Sequence, residues 1–202
     1  MQFRFIFTAS IISPEREQQY VERISRTIRM LQHLPFKFYI VENNGKRPTA
    51  LDTIENVAML YTNTNTIKSI TNKGIKEFSD ILFVADRYDF DDNDIVIKLT
   101  GLYTLEDPPR FIEDIQVFEP NHDAFIKWFN ICRKEYIYDD CILGLFALRY
   151  RYLKEFNYMG MRLHPSMEHI FATYIREAVP VERIYDSMHL GMYYRDDTSQ
   201  LF

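Results

Sequence analysis

Phe3-Arg4-Phe5-Ile6-Phe7-Thr8-Ala9-Ser10, a periodic stretch over residues 14–34, and Pro35-Phe36-Lys37-Phe38-Tyr39-Ile40-Val41-Glu42-Asn43-Asn44-Gly45 together decide the fold. Phe3, Phe5 and Phe7 alternate with Arg4 and Ile6 and give way to a small polar triplet, the pattern of a mostly buried strand that opens into a loop. Tyr20, Ile24, Ile28 and Leu31 recur every three or four positions and so fall on one helical face, with Ser13 placed as N-cap and Pro14 at the first helical position. Pro35 stops that helix, and residues 36–41 read as a second strand running into the turn composition Glu42-Asn43-Asn44-Gly45. A β–α–β unit is complete by residue 45.

The same order repeats outward. Val57-Ala58-Met59-Leu60-Tyr61 reads as a third strand ending in Thr62-Asn63-Thr64-Asn65-Thr66, and Ile75, Phe78, Ile81 or Leu82, and Ala85 mark a helix opening at Asn72-Lys73-Gly74. After a turn over 89–94, Ile95-Val96-Ile97-Lys98-Leu99 is a continuous run of the kind buried in parallel sheets. Strands alternating with helices predict an α/β fold, a three-layer α/β/α sandwich with a mostly parallel central sheet. Ligands of such sheets bind beyond the carboxyl ends of the strands, so the loops starting at Thr8, Glu42, Thr62 and Thr100 are expected to converge. Past Pro108-Pro109 the regularity fades: strands over 124–129 and 142–148, a short helix over 149–156, a clearer helix over 165–177, a last strand over 181–185 and a loose tail over 195–202. One domain over 1–202 is expected, whose halves 1–107 and 108–202 share a core.

Composition bounds the function. In 202 residues, 47% hydrophobic and 26% charged with six glycines, the chain can bury a full core, which excludes bulk disorder and collagen. A formal net charge of −5 leaves no general basic field for phosphate contacts, so no nucleic-acid partner is expected, although a local basic pocket is compatible with it. Cys132 and Cys141 form neither a disulfide framework nor a cysteine zinc site. Residues 1–12 are apolar but interrupted by Arg4 and too short to span a membrane; with no leader or transmembrane segment evident, the cytoplasm is the expected compartment.

The loop after the first strand, Thr8-Ala9-Ser10-Ile11-Ile12, contains no glycine, which disfavours dinucleotide-binding and P-loop chemistry, and neither Gly-x-Ser-x-Gly nor His-Glu-x-x-His occurs. What remains is a nucleotide held by side chains. Glu42 and Asn43 either cap a turn or contact a base or ribose. Lys73, in the first turn of a helix, opposes the helix dipole unless an anion lies there. Lys98, inside an apolar strand, must reach water at the sheet edge or meet an anion, because an unpaired buried ammonium is too costly.

The order of these segments resembles the GT-A glycosyltransferases. The small polar triplet after strand one, Val41-Glu42-Asn43-Asn44-Gly45, Asn72-Lys73-Gly74-Ile75-Lys76-Glu77 and Asp94-Ile95-Val96-Ile97-Lys98-Leu99-Thr100-Gly101 are similar to the nucleotide-sugar half of that family. Leu143-Gly144-Leu145-Phe146-Ala147-Leu148-Arg149 resembles the strand before its acceptor helix, and Met167-Glu168-His169 stands where the family often has an acidic catalytic motif. Lys98-Leu99-Thr100-Gly101-Leu102-Tyr103 resembles small glycosyltransferases of large DNA viruses and of bacterial surface-polysaccharide loci.

The resemblance implies hexosyl or deoxyhexosyl transfer from a nucleoside diphosphate sugar to a glycan or glycoprotein acceptor, in the host cytoplasm if the protein is viral. It implies a donor-binding half (1–107) with Thr8, Glu42, Asn43, Lys73, Lys98 and Thr100 near the nucleotide or its diphosphate, and an acceptor half (108–202). Glu168 becomes the base for an inverting displacement, with His169 next. The family's Asp-x-Asp, which holds Mn²⁺ or Mg²⁺, is replaced by Thr100-Gly101-Leu102; Asp89-Phe90-Asp91 and Asp92-Asn93-Asp94 precede the strand and should lie at its opposite end. Asp107 and His189 are the reserve metal ligands. A glycosyltransferase-like module that binds without catalysis, and a nucleotidyltransferase, are the competing classes.

Overall fold

A computed structural model describes residues 1–161 and 166–193, with side chains described outside 160 and 161. Strand β1 (Phe3–Ala9) leads into helix α1 (Pro14–Leu31) and back along β2 (Phe36–Glu42). Ser13 Oγ accepts the Arg16 amide at 3.3 Å, and Glu15 and Glu17 in the first turn suit the positive end of the helix dipole. Tyr20, Ile24, Ile28 and Leu31 are buried on the sheet. At about 1.5–3 kcal/mol for each large apolar side chain withdrawn from water, this face holds the helix in place. The helix ends at Leu31, before the expected 34, because the residue preceding Pro35 is sterically barred from helical backbone and the chain must leave early.

Next come β3 (Val57–Tyr61), α2 (Lys73–Arg87), β4 (Ile95–Thr100), β5 (Thr104–Leu105), α3 (Arg110–Phe118), β6 (Ala124–Ile126), β7 (Leu145–Arg149), α4 (Tyr150–Glu155), α5 (Met167–Ala178), β8 (Ile184–Asp186) and β9 (Met192–Tyr193). The central sheet has seven strands in the order β3-β2-β1-β4-β7-β6-β8. β1 is parallel to β2 and β4, β2 to β3, and β6 to β8, whereas β7 runs antiparallel to β4 and β6. Helices α1 and α3 cover one face, and α2, α4 and α5 the other. The three-layer α/β/α reading stands, and strands from both halves of the chain lie in one continuous sheet.

The second half differs in detail from its sequence reading. The strand expected over 124–129 stops at Ile126, the one expected over 142–148 starts at Leu145, and residues 181–183 form a turn of 3-10 helix ahead of β8. Helix α3 follows Pro109 directly and buries Phe111, Ile112 and Ile115, so the Pro-Pro pair marks a helix start as well as a break. Helix α5 begins at Met167; Pro165, His164 and the tail over 195–202 lie outside the described residues. The aspartate-rich turn lies at the amino ends of β1 and β4, as its position before the strand requires. There Asp94 pairs with Arg4 at 2.7 Å and accepts the Gln2 amide, and Asp92 pairs with Lys154.

Candidate active site at the carboxyl edge of the sheet

The four loops do converge. The Gly101 amide donates to the Thr8 carbonyl at 2.9 Å, the Asn43 amide to the Ala9 carbonyl at 3.2 Å, the Thr62 amide to the Glu42 carbonyl at 2.9 Å, and the Thr100 amide to the Gly144 carbonyl at 2.9 Å. Parallel strands with aligned carboxyl ends produce this meeting, and the antiparallel β7 contributes its own starting end to it.

Lys98 is at the centre. Only 1% exposed, its ammonium donates to Glu77 Oε2 at 2.8 Å, Thr100 Oγ1 at 2.7 Å and the Leu143 carbonyl at 2.6 Å. An ammonium has three protons, and these three acceptors use them all. The anion that Lys98 requires is therefore a side chain of α2. Glu77 also accepts the Thr8 hydroxyl at 3.2 Å, yet its side chain remains 28% exposed. Glu77 was not among the residues singled out for the site. The signal for it was Lys98 itself, since a lysine in a buried strand calls for an acid on the facing helix, and Glu77 and Asp80 are the acids in the first two turns of α2.

Glu42 is fully buried and holds the loops after β1 and β2 together. It accepts the amides of Ile11 and Asn44, each at 3.1 Å, and the Arg47 guanidinium at 2.9 Å. Asn43 donates to Asp80 Oδ2 at 3.2 Å, and Asp80 takes the hydroxyls of Thr62 and Thr64 at 2.6 and 2.8 Å. Burial pushes the Asp80 carboxyl up to about 6, outweighing the three hydrogen bonds that favour its charged form. Both Glu42 and Asn43 thus serve the loop scaffold, with Asn43 7% exposed. Lys73 is exposed at the first position of α2, just after Asn72, whose side chain caps the Gly74 amide at 2.9 Å.

The starts of α2 and α5 touch. A Cβ on Gly74 would stand 2.6 Å from the Met167 Cβ, so the close approach of α5 requires glycine there. Gly144 is required likewise, because a Cβ would overlap the Tyr103 ring packed across it. Ser166 Oγ caps α5 by accepting the His169 amide at 3.2 Å, and Glu168 Oε2 lies 3.2 Å from the same hydroxyl. Glu168 is exposed, on the wall of a cleft of ≈ 500 Å³ shared with His169, Asp139, Asp140 and Asn130. Burial raises the Asp140 carboxyl above its usual range, and the neighbouring Glu168 charge adds to the effect. The cleft adjoins the Lys98 cluster through the short segment Cys141-Ile142-Leu143, whose last carbonyl Lys98 holds.

The residues after β4 do not fit a divalent cation. Thr100-Gly101-Leu102 carries no carboxylate there, the Leu102 carbonyl is taken by the Arg23 guanidinium, and Glu77 is bound to Lys98. Asp107 is exposed; it is Glu106 that faces His189, at 3.2 Å, while Arg110 lies 3.6 Å from the same carboxylate. Among the described residues no three His, Cys, Asp or Glu side chains come together as metal ligands would.

Solved structures share this architecture. The galactosyltransferase LgtC, in complex with donor and acceptor sugar analogues, superposes with a TM-score of 0.54 at 10% identity, over 97% of this chain and 88% of that one. A glycosyltransferase involved in glycosylation of the major capsid of PBCV-1 gives 0.52 at 8% identity, over 93% and 82%. The inositol-1-phosphate CTP transferase from T. maritima gives 0.55 at 9% identity, over 92% and 85%. No protein-family model and no curated protein sequence matches the chain. The fold is that of the GT-A-type nucleotide-diphospho-sugar transferases.

Proposed function

We propose that the chain is a glycosyltransferase that moves a hexosyl or deoxyhexosyl group from a nucleoside diphosphate sugar to a hydroxyl of a glycan or glycoprotein. The observation that carries this reading is the meeting, in a GT-A fold, of Thr8, Thr100 and the Glu77–Lys98 pair with the starts of α2 and α5 on one edge of the sheet. The base and ribose lie over the loops after β1 and β2, whose shape Glu42 and Asn43 fix. The diphosphate lies against the first turn of α2, where backbone N–H groups and Lys73 stabilise the charge that develops on it. Lys98 acts through Glu77, Thr100 and Leu143 rather than by touching the donor.

Glu168, exposed at the start of α5, takes the acceptor proton as the acceptor oxygen bonds to the anomeric carbon. The bond from that carbon to the phosphate oxygen breaks, and its electron pair leaves with the nucleoside diphosphate. Displacement from one side inverts the anomeric centre. His169 is the next residue able to serve as base. No described helix is long and apolar enough to cross a membrane, and we assign the activity to the cytoplasm, that of the host if the protein is viral.

Calorimetric titration with UDP, GDP, CDP and dTDP sugars tests the reading. One nucleotide class is expected to bind with a dissociation constant in the micromolar range, and failure of all four refutes it. Proton NMR of the product tests inversion. Nucleotidyl transfer is favoured by the likeness to the CTP transferase, but the loop Thr8-Ala9-Ser10-Ile11-Ile12 offers neither glycine nor a basic side chain for a triphosphate. Pyrophosphate release from a nucleoside triphosphate identifies it. A non-catalytic module is favoured by the engagement of Glu42 and Lys98 within the protein. Saturable hydrolysis of the sugar donor excludes that reading.

A further inference from the structure

The cleft beside Glu168 has a neighbour. His169 also lines a second cavity of ≈ 360 Å³ between α5 and the end of α4, bounded by Thr173, Tyr174 and Glu177, with Phe156 and Glu155 across from them. Helix α5 has 12 residues, a run of about 18 Å at 1.5 Å per residue, which is room for about three pyranose rings in a row. The Tyr174 hydroxyl donates to the Tyr152 carbonyl at 2.6 Å, fixing the ring as a rigid apolar wall beside Phe156. Around these walls stand carboxylates: Asp139, Asp140 and Glu168 in the first cavity, Glu155 and Glu177 in the second. Arg133 is the charged basic side chain on the described lining, and Glu135 lies 3.5 Å from it.

We infer that the two cavities form one acceptor groove for an extended, uncharged or amino-bearing glycan chain, its reacting hydroxyl at Glu168 and its following units along α5. This rests on the glycosyltransferase reading and specifies its acceptor. A sugar ring has an apolar C–H face and a rim of hydroxyl donors, which match an aromatic wall edged by carboxylate acceptors. A chain bearing uronates, sulfates or phosphates meets like charge in both cavities, with Arg133 the one opposite charge on the described lining, and binds more weakly. A single sugar, held with its reacting hydroxyl at Glu168, occupies part of the first cavity and gains nothing from the second.

The test is calorimetric titration, in the presence of the nucleoside diphosphate, with neutral gluco- and galacto-oligosaccharides of increasing length from a single unit, their amino- and uronate-bearing counterparts, and oligolysine. Affinity is expected to rise about tenfold or more from the monosaccharide to the trisaccharide in the neutral or amino series, with uronate chains weaker by about tenfold. Thr173→Trp, which projects an indole into the second cavity and obstructs it, should abolish the gain with length and leave monosaccharide affinity unchanged. Glu177→Lys, at an exposed position that folding tolerates, should reduce the discrimination against uronates. Equal affinity at all lengths, a length gain that survives Thr173→Trp, preference for uronate chains, tightest binding of oligolysine, or no binding of any probe overturns the inference. Donor titration separates the two claims: a bound nucleotide sugar with no length gain sinks the groove alone, and an unbound one sinks the glycosyltransferase reading itself.

Discussion

Replacing Lys98 and Glu77 by methionine, singly and together, tests whether the site is built on their ion pair. Lys98→Met keeps length and removes the ammonium, leaving the Leu143 carbonyl without its donor and Glu77 without its counter-charge. Breaking a buried pair costs about 3–5 kcal/mol when the remaining charge is sealed from water. Glu77 is 28% exposed and can recover part of its hydration, so about 2–3 kcal/mol is expected. Glu77→Met strands an ammonium that is 1% exposed, and the full 3–5 kcal/mol is expected there. The double variant leaves no unpaired charge and should cost no more than Glu77→Met alone, so the coupling should at least equal the cost of Lys98→Met, about 2–3 kcal/mol. All three variants remain folded if the stability of the domain exceeds about 7 kcal/mol, within the ordinary range of about 5–15 kcal/mol. Urea unfolding at neutral pH, extrapolated linearly to water, measures each cost. Additivity within about 0.5 kcal/mol, or a larger cost for Lys98→Met than for Glu77→Met, refutes the reasoning.

Glu168→Gln should lower kcat by about 10²–10⁴ and leave calorimetric donor affinity unchanged, whereas near-native turnover moves the base to His169. Donor affinity measured in excess chelator and again with Mn²⁺ should agree within about twofold, because the loop after β4 presents no carboxylate pair; restoration of binding by Mn²⁺ contradicts that. Asp80, held near 6 when folded against an unfolded value of about 3.9, keeps a proton longer in the native state. Its contribution is therefore present below pH 4 and lost as pH rises to 6, at most about 3 kcal/mol, and urea unfolding of Asp80→Asn across that range should lack this fall. Gly74→Ala places a methyl group 2.6 Å from the Met167 Cβ, and thermal unfolding should show a loss of about 1–3 kcal/mol in spite of alanine's better helix propensity.

The strands and α-helices of the first hundred residues were legible because the main elements there announce themselves by two agreeing signals, whereas the short 3-10 turns over 50–53 and 64–66 carry none. Helix α1 has its apolar stripe and its Ser13-Pro14 start, and β4 has a continuous apolar run bounded by turns. The second half lacks that redundancy. Strand β6 has three residues, too few for a period to show, and β7 ends in Arg149, a charge that would ordinarily mark a loop. Arg149 is buried because Asp123 and Glu119 each meet it at 2.7 Å, partners 26 and 30 residues away that no local pattern exposes. The site divides in the same way. That strand ends and helix starts would meet followed from topology; that Glu42 would be consumed by Ile11, Asn44 and Arg47, and Lys98 by Glu77, depended on pairings across the fold.

Buried ion pairs stand at both poles of the sheet, and the access of their acids to water distinguishes them. At the amino pole Asp94 faces Arg4 and Asp123 gathers Arg149, Arg151 and Arg183, with both acid side chains only 1% exposed. Every oxygen there is directed to protein donors, and such closed pairs define register and packing rather than chemistry. At the carboxyl pole the Arg47–Glu42 pair is closed in the same way, its acid fully buried, whereas in the Lys98–Glu77 pair the arrangement is reversed: the base, Lys98, is sealed and saturated, while the acid, Glu77, stays open on the side towards the loops. A carboxylate whose charge is already balanced from behind can accept hydroxyl donors from a sugar or ribose without repelling a nearby diphosphate as strongly as a free acid would. The same lysine, by taking the Leu143 carbonyl and the Thr100 hydroxyl, ties the end of β4 to the segment leading into β7. One buried cation therefore links the end of β4 to the segment leading into β7, and under the proposed function that junction joins the donor edge to the acceptor groove, where transfer between two bound sugars requires rigidity.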